Sequence, residues 1–112
     1  MPLNLSDNAT LKDIQEEINR LRRERNFSMD RLHIMMLLLE ETAELCCQIR
    51  RTYVDHIPAL PSDNKSSIQH EMADVFILLN ALAKTENIDL ETAWRSKEAI
   101  NDARDWKKPK QY

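Results

Sequence analysis

The chain contains no glycine in its 112 residues. Tight hairpins and many sheet corners need glycine for positive φ angles, so a chain without it is poorly suited to a protein of short strands and tight turns. It has only four prolines, and 31% of its residues are charged. This composition predicts an all-α fold. The length fits one domain, so we expect a single domain over residues 1–112, structured over about 10–106, with flexible ends.

Charge and hydropathy exclude several function classes. The formal net charge is −3, so no global positive field attracts nucleic acid or an anionic membrane. No apolar run reaches the roughly 18 residues that a membrane span needs, and the N-terminus lacks the layout of a signal peptide. We expect a cytoplasmic protein with neither a nucleic-acid nor a membrane partner.

Capping residues and periodicity predict two helices in the first half of the chain. Thr10 and Asp13 have the spacing of a capping box at the start of a helix that runs to about Arg25. Its apolar residues recur at helical spacing on one stripe. Ser28 is the expected N-cap of a long second helix, from about Met29 to about Asp55.

The second half of the chain begins with the one evident loop. Residues 57–64 contain two prolines and three residues typical of caps and turns. Ser66 is the expected N-cap of a third helix, which Asn87 ends in the left-handed conformation that glycine usually adopts. Asp89 is the expected N-cap of a fourth helix that ends near Asp105. Four helices with mostly short connections predict an antiparallel four-helix bundle.

Carboxylates interrupt the two most apolar of these helices. Glu41 and Glu44 lie in one apolar stretch, and Glu71 and Asp74 begin another. The i,i+3 spacing places both members of a pair on one helix face, and two such faces turned toward each other bring four carboxylates together. Burying charge without a partner is costly, so a divalent cation is the expected partner, and an oxygen-only set suits Mg²⁺ or Mn²⁺.

The acidic pairs have two other interpretations, a solvated helix face and a di-iron or di-manganese site. A single i,i+3 pair is typical of a solvated helix face, but two pairs within apolar runs favour a site. A di-iron or di-manganese bundle uses Glu-x-x-His on two helices. None of His33, His56 and His70 has a glutamate three residues upstream. The oxygen-only set therefore favours a hard cation.

In order and spacing, these motifs resemble the MazG-like, all-α nucleoside triphosphate pyrophosphohydrolases. Glu40-Glu41-x-x-Glu44 followed by Glu71-x-x-Asp74 matches their E-E-x-x-E and E-x-x-D motifs. The resemblance covers about residues 10–106. Within the family, the chain is similar to the compact dCTP pyrophosphatase-like branch. Two further segments carry it, namely Asn87-Ile-Asp-Leu-Glu-Thr-Ala and Ser96-Lys97 with Asn101 and Arg104.

The resemblance implies an enzyme that hydrolyses a nucleoside triphosphate, of the deoxy kind in this branch, to the monophosphate and pyrophosphate with Mg²⁺. It implies that Glu41, Glu44, Glu71 and Asp74 are metal ligands and that Glu40 supports catalysis, for example by orienting water. It also implies a homodimer or homotetramer whose active sites are completed near the subunit interface.

Contacts to the rest of the substrate are predicted at two further places. Lys97, Asn101 and Arg104 follow i,i+4,i+7 on the last helix, where they offer donors to phosphate oxygens. The spacing alone fits a solvated basic face equally well. Phe27 replaces a tryptophan of the dCTP-directed branch, and it is either a stacking surface for a base or a core plug at a helix junction.

The alternative to an enzyme is a non-catalytic helical interaction or regulatory module that retains the fold and binds nucleotide without turnover. Such a binder is expected to have lost one of the metal ligands. All four acids are present, which favours hydrolysis in nucleotide pool sanitation or dNTP homeostasis.

Overall fold

The computed structural model describes residues 2–54 and 65–107, and in these ranges the chain forms four α-helices and no strand. The fold is all-α, as the composition predicted. None of the described helices combines the length and apolarity that a membrane span requires. The loop expected at residues 57–64 lies outside the described residues. The helices are α1 (Leu11–Glu24), α2 (Arg31–Tyr53), α3 (Lys65–Thr85) and α4 (Leu90–Asp102).

Three of the predicted helix signals are confirmed. The Thr10 hydroxyl accepts from the Asp13 N–H at 3.1 Å, and the Asp13 carboxylate accepts from the Thr10 N–H at 2.9 Å, which completes the capping box of α1. Asn87 has a φ of 55° and follows the end of α3. Asp89 caps α4 by accepting from the Glu91 N–H at 3.2 Å.

Three helix boundaries differ from the prediction. Asp30, not Ser28, is the N-cap of α2, because its carboxylate accepts from the His33 N–H at 2.9 Å while the Ser28 hydroxyl accepts from the Asp30 N–H at 3.1 Å. An ionised acceptor forms the stronger cap hydrogen bond. Helix α3 already begins at Lys65, so Ser66 lies within it. Helix α4 ends at Asp102, three residues before the predicted end.

Helices α2 and α3 form an antiparallel pair around a small apolar core. Arg31, at the start of α2, donates to the Glu86 carboxylate just after the end of α3, at 2.7 Å. Between the helices, the apolar stripes of both elements meet. The core consists of Ile34, Leu78 and Ala81, with Leu37, Leu38 and Leu82 packed against it.

Polar side chains of α1 contact α3 and the connection that follows it. The Gln15 amide donates to the Ile88 carbonyl oxygen at 2.8 Å and accepts from the Leu90 N–H at 3.2 Å, which ties α1 to the connection between α3 and α4. The Asn19 amide donates to the Asn80 carbonyl oxygen at 3.3 Å. Helix α4 packs against α1 and has no buried residue.

Burial along α1 differs from the sequence expectation. The predicted apolar stripe is only half-buried, whereas the most buried residues of the helix are Glu17, Asn19 and Arg22. Tertiary contacts account for two of them, because Glu17 contacts the N-terminal segment and Asn19 contacts Asn80. The stripe residues are Leu11, Ile14, Ile18 and Leu21.

The Glu17 carboxylate holds the N-terminal segment against α1. It accepts from the Arg20 guanidinium at 2.6 Å and from the backbone N–H of Asn4. These two contacts, with Arg20 the stronger, lower the pKa of Glu17 from 4.5 to about 2.

We predict a pH-dependent contribution of Glu17 to stability. Its folded-state pKa is below its unfolded value, so the stabilisation is complete above pH 4.5 and is lost as the pH falls toward about 2. The free energy of unfolding of the wild type should exceed that of Glu17→Gln at pH 7, and the difference should shrink at pH 3, as measured by urea titration. Glu16→Gln, an exposed neighbour, is the control, and a difference that does not change with pH would contradict the prediction.

Candidate active site

Three carboxylates meet where α2 and α3 face each other. One oxygen each from Glu41, Glu71 and Asp74 lies within 4.8 Å of the others. Glu41 lies one turn after Leu37, and Asp74 lies one turn before Leu78, so both acids continue the stripes that form the core. The packing of the two helices therefore brings the carboxylates together.

The three like charges disfavour full ionisation in the absence of a cation. Partial burial is the first cause that raises the pKa of the Glu41 carboxyl. The hydrogen bond with Glu71 and the nearby charges of Asp74, Glu71 and Glu40 raise this pKa further. A bound cation would relieve this repulsion.

The donor set fits a hard divalent cation. The Oε2 atom of Glu71 is buried and has no hydrogen-bond partner. A buried carboxylate oxygen without a partner is costly, and a cation would satisfy it. Three carboxylate oxygens that lie within 4.8 Å of one another would need only small side-chain movements to hold one such cation.

The other two acids of the predicted set lie outside this group. Glu44 is one turn further along α2 and is exposed, and its carboxylate does not belong to the three-carboxylate group. Glu40 is also exposed, but its charge acts on Glu41. Their roles as ligand and as supporting residue stay predictions.

A cavity of about 390 Å³ opens beside the carboxylates. Glu41, Asp74 and Phe27 are among the residues that line it. Phe27 is 50% exposed, so it does not plug a core. The cavity thus combines carboxylates with apolar walls, the usual composition of a small-molecule site. The apolar walls come from Ile18, Leu21, Leu37, Ile77 and Leu78.

The predicted phosphate-binding residues lie in the second half of α4 and just beyond its end. Arg104 follows the helix, and its backbone N–H donates to the Asn101 carbonyl oxygen at 3.1 Å, so the expected single helix face is not formed. Its guanidinium lies 5.2 Å from the centroid of a Trp106 ring. Lys97 is exposed, and none of the three residues lines the cavity beside the carboxylates. Their contact with phosphate stays a prediction.

Comparison with known proteins identifies the family. A profile of the MazG nucleotide pyrophosphohydrolase domain matches residues 29–101, about two thirds of the chain. The chain belongs to the MazG nucleotide pyrophosphohydrolase family. It is therefore a hydrolase that acts on pyrophosphate bonds of nucleotides.

Two solved structures are similar to this MazG domain over nearly its whole length. One is a Bacillus-conserved MazG protein described as a nucleotide pyrophosphohydrolase, with 27% identity and a TM-score of 0.70 over 92% of this chain and 100% of that one. The other is YpjD of Bacillus subtilis, assigned as a pyrophosphatase, with 27% identity and a TM-score of 0.72 over 89% of this chain and 100% of that one. No curated protein matches the chain.

Sequence reasoning did not assign four polar residues of the cavity to the site, namely Arg22, Arg25, Ser28 and His33. Arg22 lines the cavity of the MazG domain and is buried, although it belongs to a class of side chain that is rarely buried. The available signal was its position, because Ile14, Ile18 and Arg22 recur at intervals of four on the apolar side of α1. A charged side chain such as Arg22 on an apolar stripe indicates a residue with a role in a site.

We predict that Glu41→Gln stabilises the metal-free protein. The neutral amide removes one of three like charges and retains a donor for Glu71, so the free energy of unfolding in the presence of a chelator should rise by about 0.5–2 kcal/mol. Glu44→Gln, an exposed acid on the same helix, is the matched control and should change it by less than about 0.5 kcal/mol. A destabilised Glu41→Gln protein at pH 7, measured by urea unfolding, would argue against repulsion in the cluster.

Proposed function

We propose that this MazG domain hydrolyses a nucleoside triphosphate, of the deoxy kind, to the monophosphate and pyrophosphate in a Mg²⁺-dependent reaction. The observation that carries the proposal is the group formed by Glu41, Glu71 and Asp74, with an unpartnered Glu71 oxygen, beside a cavity large enough for part of a nucleotide. The enzyme would act on the nucleotide pool of the cytoplasm, in sanitation or dNTP homeostasis.

In this proposal, Glu41, Glu71 and Asp74 hold the cation, and Glu44 joins them as a fourth ligand. When bound, Mg²⁺, or Mn²⁺ in its place, neutralises phosphate oxygens and activates water for attack. Glu40, whose charge acts on Glu41, orients the attacking water. The chain needs no covalent nucleophile for this chemistry.

The rest of the substrate is assigned to the remaining predicted residues. Phe27 stacks on the base, a role supported by its exposed ring at the wall of the cavity. Lys97, Asn101 and Arg104 contact phosphate oxygens, a role supported by their donors and by the family motif. The carboxylates and the aromatic ring, which line the same cavity, thus take the metal-bound phosphates and the base of one nucleotide.

We propose further that the protein is a homodimer or homotetramer. The outward face of α2 carries Leu32, Met36 and Leu39, which are 71%, 68% and 61% exposed and follow heptad spacing. Large apolar side chains in a continuous stripe are unusual on a monomer surface and typical of an interface between helices. A second copy of the same stripe is self-complementary under two-fold symmetry.

We predict that the protein cleaves at least one member of a dNTP panel in the presence of Mg²⁺, with the monophosphate and pyrophosphate as products. Glu71→Gln and Asp74→Asn should each lower kcat/KM by at least about 100-fold, because each removes a ligand charge at nearly constant volume. Helix content, measured by circular dichroism, should not change.

The matched control for these variants is Asp102→Asn, an exposed acid at the end of α4, which should retain activity. If the wild type at high concentration releases pyrophosphate from no nucleotide with either Mg²⁺ or Mn²⁺, the proposed reaction is wrong. Full activity in both ligand variants would refute the site assignment alone.

We predict that Met36→Glu lowers the molar mass in solution, measured by light scattering, because it places a charge in the proposed interface. Arg23→Glu, a change on the exposed surface of α1, should leave the mass unchanged. A wild-type protein with the mass of one chain would disprove self-association.

A further inference from the structure

Arg22, near the end of α1, is a buried cation that no carboxylate neutralises. It is 5% exposed, and no carboxylate of the described residues lies within 4.0 Å of it. Glu17, the other buried charged side chain in the described ranges, is paired with Arg20. Burial lowers the pKa of the Arg22 guanidinium, as expected for a charge taken out of water without a counter-ion. A cation in this position costs stability, so its presence calls for another reason.

Two groups at the junction between α1 and α2 hold the guanidinium. Its Nη2 donates to the Ser28 carbonyl oxygen at 2.9 Å. Its Cζ lies 5.4 Å from the centroid of the Phe27 ring, within cation–π distance. The Nε of Arg22 has no hydrogen-bond partner. The electron-rich face of the Phe27 ring therefore offsets part of the cost of burying the guanidinium charge.

The same contacts fix the position of Phe27. Asn26 has a φ of 57°, and the Phe27 N–H donates to the Arg22 carbonyl oxygen at 3.0 Å, so the backbone turns sharply at the end of α1. Arg22 therefore contacts Phe27 through its main chain and through its guanidinium. The ring keeps half of its surface open and borders the cavity that Glu41 and Asp74 also line. A ring held by a cation and open to a cavity is a stacking surface.

We propose that Arg22 is a positioning residue for base recognition, whose guanidinium holds the Phe27 ring at the cavity wall in the orientation that stacks on a nucleobase. The proposal rests on the nucleotide hydrolysis proposed above. Arg22 acts through Phe27, so it affects the binding of the base. It does not affect the phosphate contacts or the chemical step.

Arg22→Met tests this role, because it removes the charge and the planar donors at similar volume. Replacing a buried ion by an apolar side chain of similar size is often neutral or stabilising, so the variant should fold. We expect KM for the nucleoside triphosphate to rise about fivefold with kcat unchanged. Product inhibition by inorganic pyrophosphate, which has no base, should keep its inhibition constant. Arg23→Met, an exposed arginine outside this cavity, is the matched control.

A double variant separates positioning from a general structural role. Phe27→Leu should raise KM, and adding Arg22→Met to it should raise KM no further, because the guanidinium then has no ring to hold. Additive effects, a lower kcat or a weaker inhibition by pyrophosphate would overturn the proposal, as would an unchanged KM in Arg22→Met.

Arg22→Lys keeps the test valid if the methionine variant does not fold. Lysine retains the charge and a donor for Ser28 but lacks the planar guanidinium, so KM should rise less than in Arg22→Met. In the Phe27→Leu background, Arg22→Lys should not raise KM further. A lysine variant with wild-type KM would overturn the proposal. If the proposed nucleotide hydrolysis itself were wrong, the wild type would cleave no nucleotide. That result differs from an unchanged KM in the Arg22 variants.

Discussion

The packing of α2 against α3 determines the rest of this structure, because it forms the apolar core and the acidic cluster in the same seam. Ile34 and Leu78 supply the core of that seam, and Glu41, Glu71 and Asp74 continue it. Like charges at this distance oppose the packing that brings them together. The small core must therefore outweigh their repulsion in the free protein, and a cation would reverse the sign of the local electrostatics.

Helix α1 lines the cavity next to that seam, and hydrogen bonds from its polar side chains help to hold it there. Gln15 and Asn19 reach backbone groups of the α3 end and its connection to α4. Hydrogen bonds of this kind fix register and orientation, since each has one acceptable geometry, while contributing about 1 kcal/mol each. The half-buried apolar side chains of α1 are thus left to line the cavity.

Sequence reasoning succeeded where the deciding interactions were local. The Thr10–Asp13 capping box, the left-handed Asn87 and the Asp89 cap each depend on atoms within three residues of one another. The meeting of Glu41 with Glu71 and Asp74 was also predictable, because helical spacing placed each acid on an apolar stripe. The boundary at Asp30 was missed since two adequate caps lie two residues apart and the choice depends on how the chain leaves α1.

The residues that the sequence did not place depend on tertiary contacts. Helical spacing places Arg22 on the apolar side of α1, but its burial also depends on the Ser28 carbonyl oxygen and the Phe27 ring of the α1–α2 junction, which periodicity does not position. Likewise, Glu44 is exposed while Leu45 and Gln48, further along α2, are half-buried, so the i,i+3 spacing alone did not show which side of α2 faces α3.

Two groups of charges in this fold cost stability, and members of both line one cavity. Arg22 is buried without a carboxylate partner among the described residues, and the half-buried carboxylates of Glu41 and Glu71 lie close to each other and to Asp74. Local violations of stability rules concentrate at functional sites, where a ligand completes the missing interactions. A nucleotide with its cation has the complementary parts, a metal for the carboxylates and a base for the ring that Arg22 holds, so substrate binding would engage both groups at once.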